Sequence, residues 1–507
     1  MTRHRSDSDI AFRPTAATPL EWKGDCLVLG RFGGPVVFDE EWTALDASLG
    51  GALRSLVAES GFAGSVEQVA STRVTSPCAI RRLVLLGLGP EGTLDTDDVR
   101  RAGAALAWEI KRQTPRTVRT VGVLVPGHVR RDDLICAAVE GFVLAMHEGQ
   151  WFVLDHRFKS ASGDATRGHA VANVDFLDAA RCASAVDRGR IVSDGIVLSR
   201  ELVAAPPNVI GPREMADFAE AVAESSGMTI EVLDRVACER AGFGAFLAAT
   251  RGSEAEPLLL HLAYRPARPA RCRLAVVALG ITHDPGGLAA HGRVDGMKRH
   301  KGAAGSALGA AQVIGDLRPD VEAHFVLLLG EKGGAGPRLR PGDLVTAANG
   351  TTIEVNADEA EGRLMLADGL IFAERLSVDA IVDLATLTRS CALALGDEIA
   401  GLWTSDERLG REIEAASTAA GERVWRLPLH ERYRALMRPP FADARSSGPA
   451  EAESITAALF LRGFVERTPW AHLDIAGPVW CSRVDGYRNA GATGFGVGTL
   501  VNWLCAE

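Results

Sequence analysis

Four short apolar runs, Leu274–Ile281, His324–Leu329, Ala380–Leu387 and Ala471–Ile475, constrain the fold of this chain more than any other feature. Each has the length of a strand buried on both faces and is mostly apolar. Helical stretches of small residues, such as 302–315, lie between them and allow close packing against a sheet. Apolar strands alternating with helical patterns make an α/β domain. In open α/β sheets the ligand site lies beyond the carboxyl ends of the strands. Chemistry is therefore expected at His283-Asp284, Glu331-Lys332, Thr386 to Arg389 and Gly477-Pro478.

The first part of the chain repeats this grammar on a smaller scale. The pattern predicts strands over Arg82–Leu88, Val118–Val125 and Val171–Leu177, helices over Asp97–Lys111 and Asp132–Met146, and a loop over Lys159–His169. A helix over Ala179–Ala204 then stops at Ala205-Pro206-Pro207-Asn208, where proline cannot continue it. The expected organisation is a smaller N-terminal α/β domain (1–180), a connecting helix (181–208) and a larger C-terminal α/β domain of catalytic type with a central mixed sheet (209–507). Two glycine-rich stretches carry no nucleotide. Gly87-Leu-Gly89-Pro-Glu-Gly92 spells a dinucleotide fingerprint, but the next strand ends at Val125-Pro126 without an acid for a ribose, so a tight turn is expected. Gly330–Gly336 lacks the terminal Gly-Lys-Ser/Thr of a phosphate loop and reads as an active-site loop.

Charge and cysteine usage exclude other functions. The formal net charge of -10 disfavours phosphate backbones and anionic lipid, so neither nucleic acid nor a membrane is an expected partner. The first residues carry no signal-like apolar stretch and no run is long enough to span a bilayer, so a cytoplasmic location is expected. Nine cysteines are scattered singly without a C-x-x-C pair, which is the usage of a reducing compartment.

The densest chemistry lies in Glu354-Val-Asn-Ala-Asp358-Glu359-Ala-Glu361-Gly-Arg363. In an extended segment, side chains two apart point the same way, so Glu359 and Glu361 would converge with Arg363 continuing along that face. Two carboxylates held together need a cation, and a divalent metal supplies one. The plain alternative is an exposed charged loop.

Together with this segment, Leu202-Val-Ala-Ala-Pro-Pro-Asn208, Gly280-Ile-Thr-His-Asp284-Pro-Gly-Gly287, Arg340-Pro-Gly-Asp343, Leu364-Met-Leu-Ala-Asp368-Gly-Leu, Asp383-Leu-Ala-Thr386-Leu-Thr388, Ser454-Ile-Thr-Ala-Ala458, His472-Leu-Asp-Ile-Ala-Gly-Pro478 and Gly491-Ala-Thr-Gly-Phe-Gly496 occur in order. In these stretches, covering roughly Glu201 to Leu500, the chain resembles the M17 leucyl aminopeptidase family. The resemblance implies two divalent metals held by a Lys, three Asp and a Glu, with a second Lys and the signature Arg serving the transition state. At those positions the chain has Leu279 for the Lys ligand, Asp284 retained, His300 and Glu359 for two Asp, Glu361 retained and Arg363 retained. The loop 288–294 is shorter than the family pattern, so either His291 or nothing stands in for the second Lys. Met297, Thr386, Leu387 and Arg389 fall at substrate-binding positions. Arg389 replaces a small residue there and suggests an anionic substrate group.

The resemblance thus implies a metal-dependent hydrolase of N-terminal residues of peptides or peptide-like amides, with one or two Mn or Zn ions per chain in a remodelled site, assembled as a homohexamer. The alternative is a catalytically inactive homologue serving as an oligomeric structural or ligand-sensing protein. His472, within an apolar run, is expected to be a core or interface histidine, and the tryptophans to be packing residues.

Overall fold

The computed structural model describes residues 10–112, 118–147, 171–285, 298–333, 339–356 and 360–506. Its contacts fall into two units: the described residues up to Asp194 together with Arg483–Asn489, and Gly195–Ser482 together with Ala490 onward. The chain passes from the first to the second within the helix Ala183–Ala204, the connecting helix of the sequence.

The first unit is built on a six-stranded sheet ordered Ala11–Pro14, Asn173–Phe176, Thr120–Leu124, Cys26–Arg31, Arg82–Gly87, Val69–Arg73. All neighbours are parallel except the last pair. The helices Thr96–Arg112 and Asp132–Met146 touch through glycine: a Cβ on Gly141 would lie 1.8 Å from the Arg100 carbonyl oxygen, and one on Gly103 2.4 Å from that of Ala138. Any larger residue would force the backbones apart. The segment Arg483–Asn489 rejoins this unit through named bonds. Tyr487 Oη donates to Asp97 at 2.9 Å, Arg101 to Asp485 at 3.0 Å and Trp108 Nε1 to the Gly486 carbonyl at 2.9 Å. The expected loop Lys159–His169 lies outside the described residues.

The second unit carries an eight-stranded mixed sheet ordered Val424–Arg426, Ala400–Thr404, Trp470–Asp474, Ala380–Ala385, Arg273–His283, Glu322–Glu331, Leu258–Tyr264, Thr229–Leu233. The four apolar runs of the sequence are its four central strands, all parallel to one another. Helices cover both faces. Gly369 of the helix Glu361–Arg375 packs on Val277, while Ala304 of the helix Gly302–Leu317 packs on Gly280 of the same strand. Positions 277 and 280 are an odd number apart and so face opposite sides of the sheet. Burial on both faces is why these strands are predominantly apolar, although buried Asp383, His472 and Asp474 interrupt two of them. Trp403, Trp470 and Trp503 are buried as expected, whereas Trp425 on the edge strand is 62% exposed.

Candidate active site

The four central strands end in the same direction at His283, Glu331, Ala385 and Asp474. Between Arg273–His283 and Glu322–Glu331 the register shifts after Gly330, so that Glu331 pairs with His283 rather than with Thr282. An irregularity of this kind re-aims the residues that follow it. The Lys332 amide donates to the His283 carbonyl at 2.9 Å, which sets Lys332 beside Asp284. Glu361 arrives from the other direction, as the first residue of the helix Glu361–Arg375.

Lys332 Nζ lies 3.3 Å from Oε2 of Glu361 and 3.9 Å from Oδ1 of Asp284, and the three side chains are only 18%, 16% and 13% exposed. Burial raises the Glu361 carboxyl above the usual carboxylate range, and Asp284 adds to the effect, while the Lys332 ammonium opposes it. His300 enters from the turn Arg299–Lys301. Its Nδ1 is 2.9 Å from Thr386 Oγ1, and its Nε2 is 3.8 Å from Oδ2 of Asp284. Lys301, wholly buried beneath this turn, donates to the carbonyls of Ala205 at 2.8 Å and Ile210 at 3.3 Å. Burial pulls its ammonium down to about 7.

Asp284, His300, Glu361 and Thr386 are thus brought together at the strand ends. His291, Met297 and Glu359 lie outside the described residues. Leu279, where the family resemblance calls for a lysine ligand, is 1% exposed, and a Cβ on Gly362 would meet its side chain at 3.0 Å. It is a packing residue.

Two residues, Glu361 and Arg363, differ from the simple sequence picture. Glu361 and Arg363 do not share an extended segment, because the helix starts at Glu361 and residues two apart on a helix diverge. Arg363 is 3% exposed and donates to the Ser446 carbonyl, to Ser447 Oγ at 2.7 Å and to Glu453 at 2.8 Å. Leu387 donates its N–H to Asp474 at 3.1 Å. Arg389 is exposed as the first residue of the helix Arg389–Leu395. His472 is buried against Asp383 at 2.6 Å, as expected for a core histidine. The residue that sequence reasoning left out of the site is Lys332, although the strand-end rule pointed at Glu331-Lys332.

Among the described residues, no three His, Cys, Asp or Glu side chains form a ready cage for a metal ion. Asp284, His300 and Glu361 are the candidate donors among the described residues, and Glu359 lies outside them. In donor chemistry, two carboxylates and an imidazole suit one divalent ion.

Comparison with known proteins identifies the family. The catalytic domain of the cytosol aminopeptidase family matches residues 197–501, and that family's N-terminal domain matches residues 28–161. A probable cytosol aminopeptidase of Cyanothece sp. is 44% identical over 496 residues, spanning 97% of this chain and 99% of the relative. One from Acaryochloris marina is 44% identical over 490 residues, spanning 96% and 97%. A mutant of tomato leucine aminopeptidase superposes with a TM-score of 0.86 at 34% identity, covering 98% of this chain and 97% of that one. The bottromycin maturation enzyme BotP, in complex with Mn, does so at 0.81 and 30%, covering 95% and 99%. With both domains matched and relatives aligned over nearly their whole length, this chain belongs to the M17 cytosol aminopeptidase family.

Proposed function

We propose that the chain is a metal-dependent, aminopeptidase-like hydrolase that acts on N-terminal residues of peptides or peptide-like amides through a remodelled centre. The observation that carries this reading is the convergence of Asp284, His300 and Glu361 at the carboxyl ends of the parallel strands, where α/β folds hold their ligands. Asp284 and His300, with Glu361 completing the carboxylate pair, are the side chains that would hold a divalent ion such as Mn or Zn. Bound there, such an ion would polarise the scissile carbonyl and lower the pKa of water.

The protein's own groups divide the remaining work. The Leu387 carbonyl accepts the substrate amine, fixed in place because the neighbouring N–H groups of Leu387 and Thr388 are tied to Asp474. Arg389 offers a solvent-facing guanidinium that favours substrates with an anionic group near the N-terminus. Arg363, held by the Ser446-Ser447 segment and Glu453, is the side chain that would stabilise the oxyanion. His291 is the proposed proton donor in place of the family's second lysine. Self-association, in the homohexamer that the family resemblance implies, would cover the exposed Phe441 and Leu393. The reading places the protein in the cytoplasm.

A second reading, a catalytically silent homologue, is favoured by one feature: an ammonium already stands between the two carboxylates. Turnover of a panel of aminoacyl amides after reconstitution with Mn, Zn or Co separates the two. Metal-dependent hydrolysis reduced at least a hundredfold by Glu361→Ala supports the hydrolase. No turnover by folded protein with any of these ions supports the silent homologue.

A further inference from the structure

We infer that Lys332 is a built-in cation that takes the place of one metal ion, so that this chain holds at most one divalent ion, on the His300 side of Asp284. The inference deepens the hydrolase reading and rests on it only in taking these carboxylates as the place where a cation is held.

The geometry divides Asp284 between two positions. Its Oδ1 faces Lys332 Nζ at 3.9 Å, and its Oδ2 faces His300 Nε2 at 3.8 Å. The same ammonium lies 3.3 Å from Glu361. A carboxylate with one oxygen toward each of two neighbouring positions is arranged as a bridge between cations. Here one of those positions is filled from within the chain. The site is sparingly exposed, so the two carboxylates are costly to keep without a compensating charge.

The source of that charge follows from the strand register. On the strand Arg273–His283, position 279 is a leucine packed on Gly362 and delivers none. The neighbouring strand Glu322–Glu331 ends after a register shift, and the first residue past it is Lys332. A tethered ammonium provides one positive charge with three donors and no open coordination position for water or substrate. Two cations cannot share the Glu361 side of Asp284 without strong repulsion, so a divalent ion is restricted to the oxygen that faces His300. Thr386 Oγ1, 2.9 Å from His300 Nδ1, holds the imidazole for that single position.

The test counts metal, not turnover. Purified full-length protein is loaded with Mn or Zn, desalted and analysed for metal per chain, and Mn affinity is measured by calorimetry. Wild type is expected to retain no more than one equivalent. Lys332→Gln is expected to gain an equivalent or to bind Mn at least tenfold more tightly. Two equivalents in wild type would overturn the inference whether or not the variant folds, as would a variant with wild-type stoichiometry and affinity. No metal on wild type with a gain in Lys332→Gln would uphold it and remove the hydrolase reading instead, so the two failures are distinguishable. Thermal melting in chelator provides a second readout. Wild type should melt within a few degrees with or without Mn, whereas Lys332→Gln should lose stability in chelator and recover it with Mn. A wild type that loses its fold in chelator would contradict an internal cation.

Discussion

His300 Nδ1 and Thr386 Oγ1 lie 2.9 Å apart, joining the turn before the helix Gly302–Leu317 to the end of the strand Ala380–Ala385. This bond fixes the ring so that its other nitrogen addresses Asp284. Outer partners of ligand histidines typically carry about 10–100-fold in metal affinity. Thr386→Val keeps the shape but removes the hydroxyl. It should weaken Mn binding by about that factor in a calorimetric titration, while Thr386→Ser restores it. Equal affinity in all three proteins would remove His300 from the metal site.

Arg389 begins a helix, where a cation opposes the helix dipole, and it is exposed. Its placement therefore does not serve local stability. Arg389→Gly should reduce kcat/KM at least tenfold for aminoacyl amides with an acidic N-terminal side chain and change it less than about twofold for leucyl amides, since the lost term is one charge-assisted contact. An unchanged ratio between the two substrate classes would show that Arg389 does not read the substrate.

His472 is fully enclosed with Nδ1 2.6 Å from Asp383, which also accepts Trp470 Nε1 at 2.7 Å. Asp383 raises the pKa of the imidazole although burial opposes this. A raised histidine contributes stability that is complete below its unfolded pKa near 6.5 and is lost as pH rises through the folded value. Denaturant unfolding should show that loss on the alkaline side in wild type and not in His472→Gln. His472→Ala, which strands a buried carboxylate, should cost about 3–5 kcal/mol. A cost below about 1 kcal/mol would mean that the His472–Asp383 contact is not a buried ion pair.

The strands that position the site were legible because burial on both faces makes them predominantly apolar runs, and the strand-end rule pointed at Asp284, Lys332 and Thr386 without any motif. What the sequence obscured came from three sources. The strand Cys26–Arg31, central in the first sheet, has only four apolar residues before its glycine, too few to tell from a turn of helix. Glu361 and Arg363 looked like neighbours on one face because the segment reads as extended. The start of a helix at Glu361 turns Arg363 away toward Ser447 and Glu453. Lys332 carries no local signal beyond its place at a strand end, since the carboxylates it meets lie 48 residues before it and 29 after it. Only the register shift at Gly330 brings these groups together.

Asp368 is buried on the helix Glu361–Arg375, where its carboxylate accepts the N–H groups of Phe246 and Ala348, each at 2.8 Å. Burial outweighs those donors and pushes its pKa from 3.8 up to about 6. The folded protein therefore holds this proton at pH values where the unfolded chain has released it. Stability is greatest below about pH 4, falls as pH rises toward about 6 and is level beyond, by an amount on the order of 2–3 kcal/mol for this group. Asp368→Asn cannot titrate, and its amide keeps only one acceptor oxygen for the two backbone donors. Urea unfolding of both proteins from pH 4 to 7 should show the wild type losing stability relative to the variant across that window. A difference that stays constant with pH would mean that the backbone donors hold Asp368 ionised throughout.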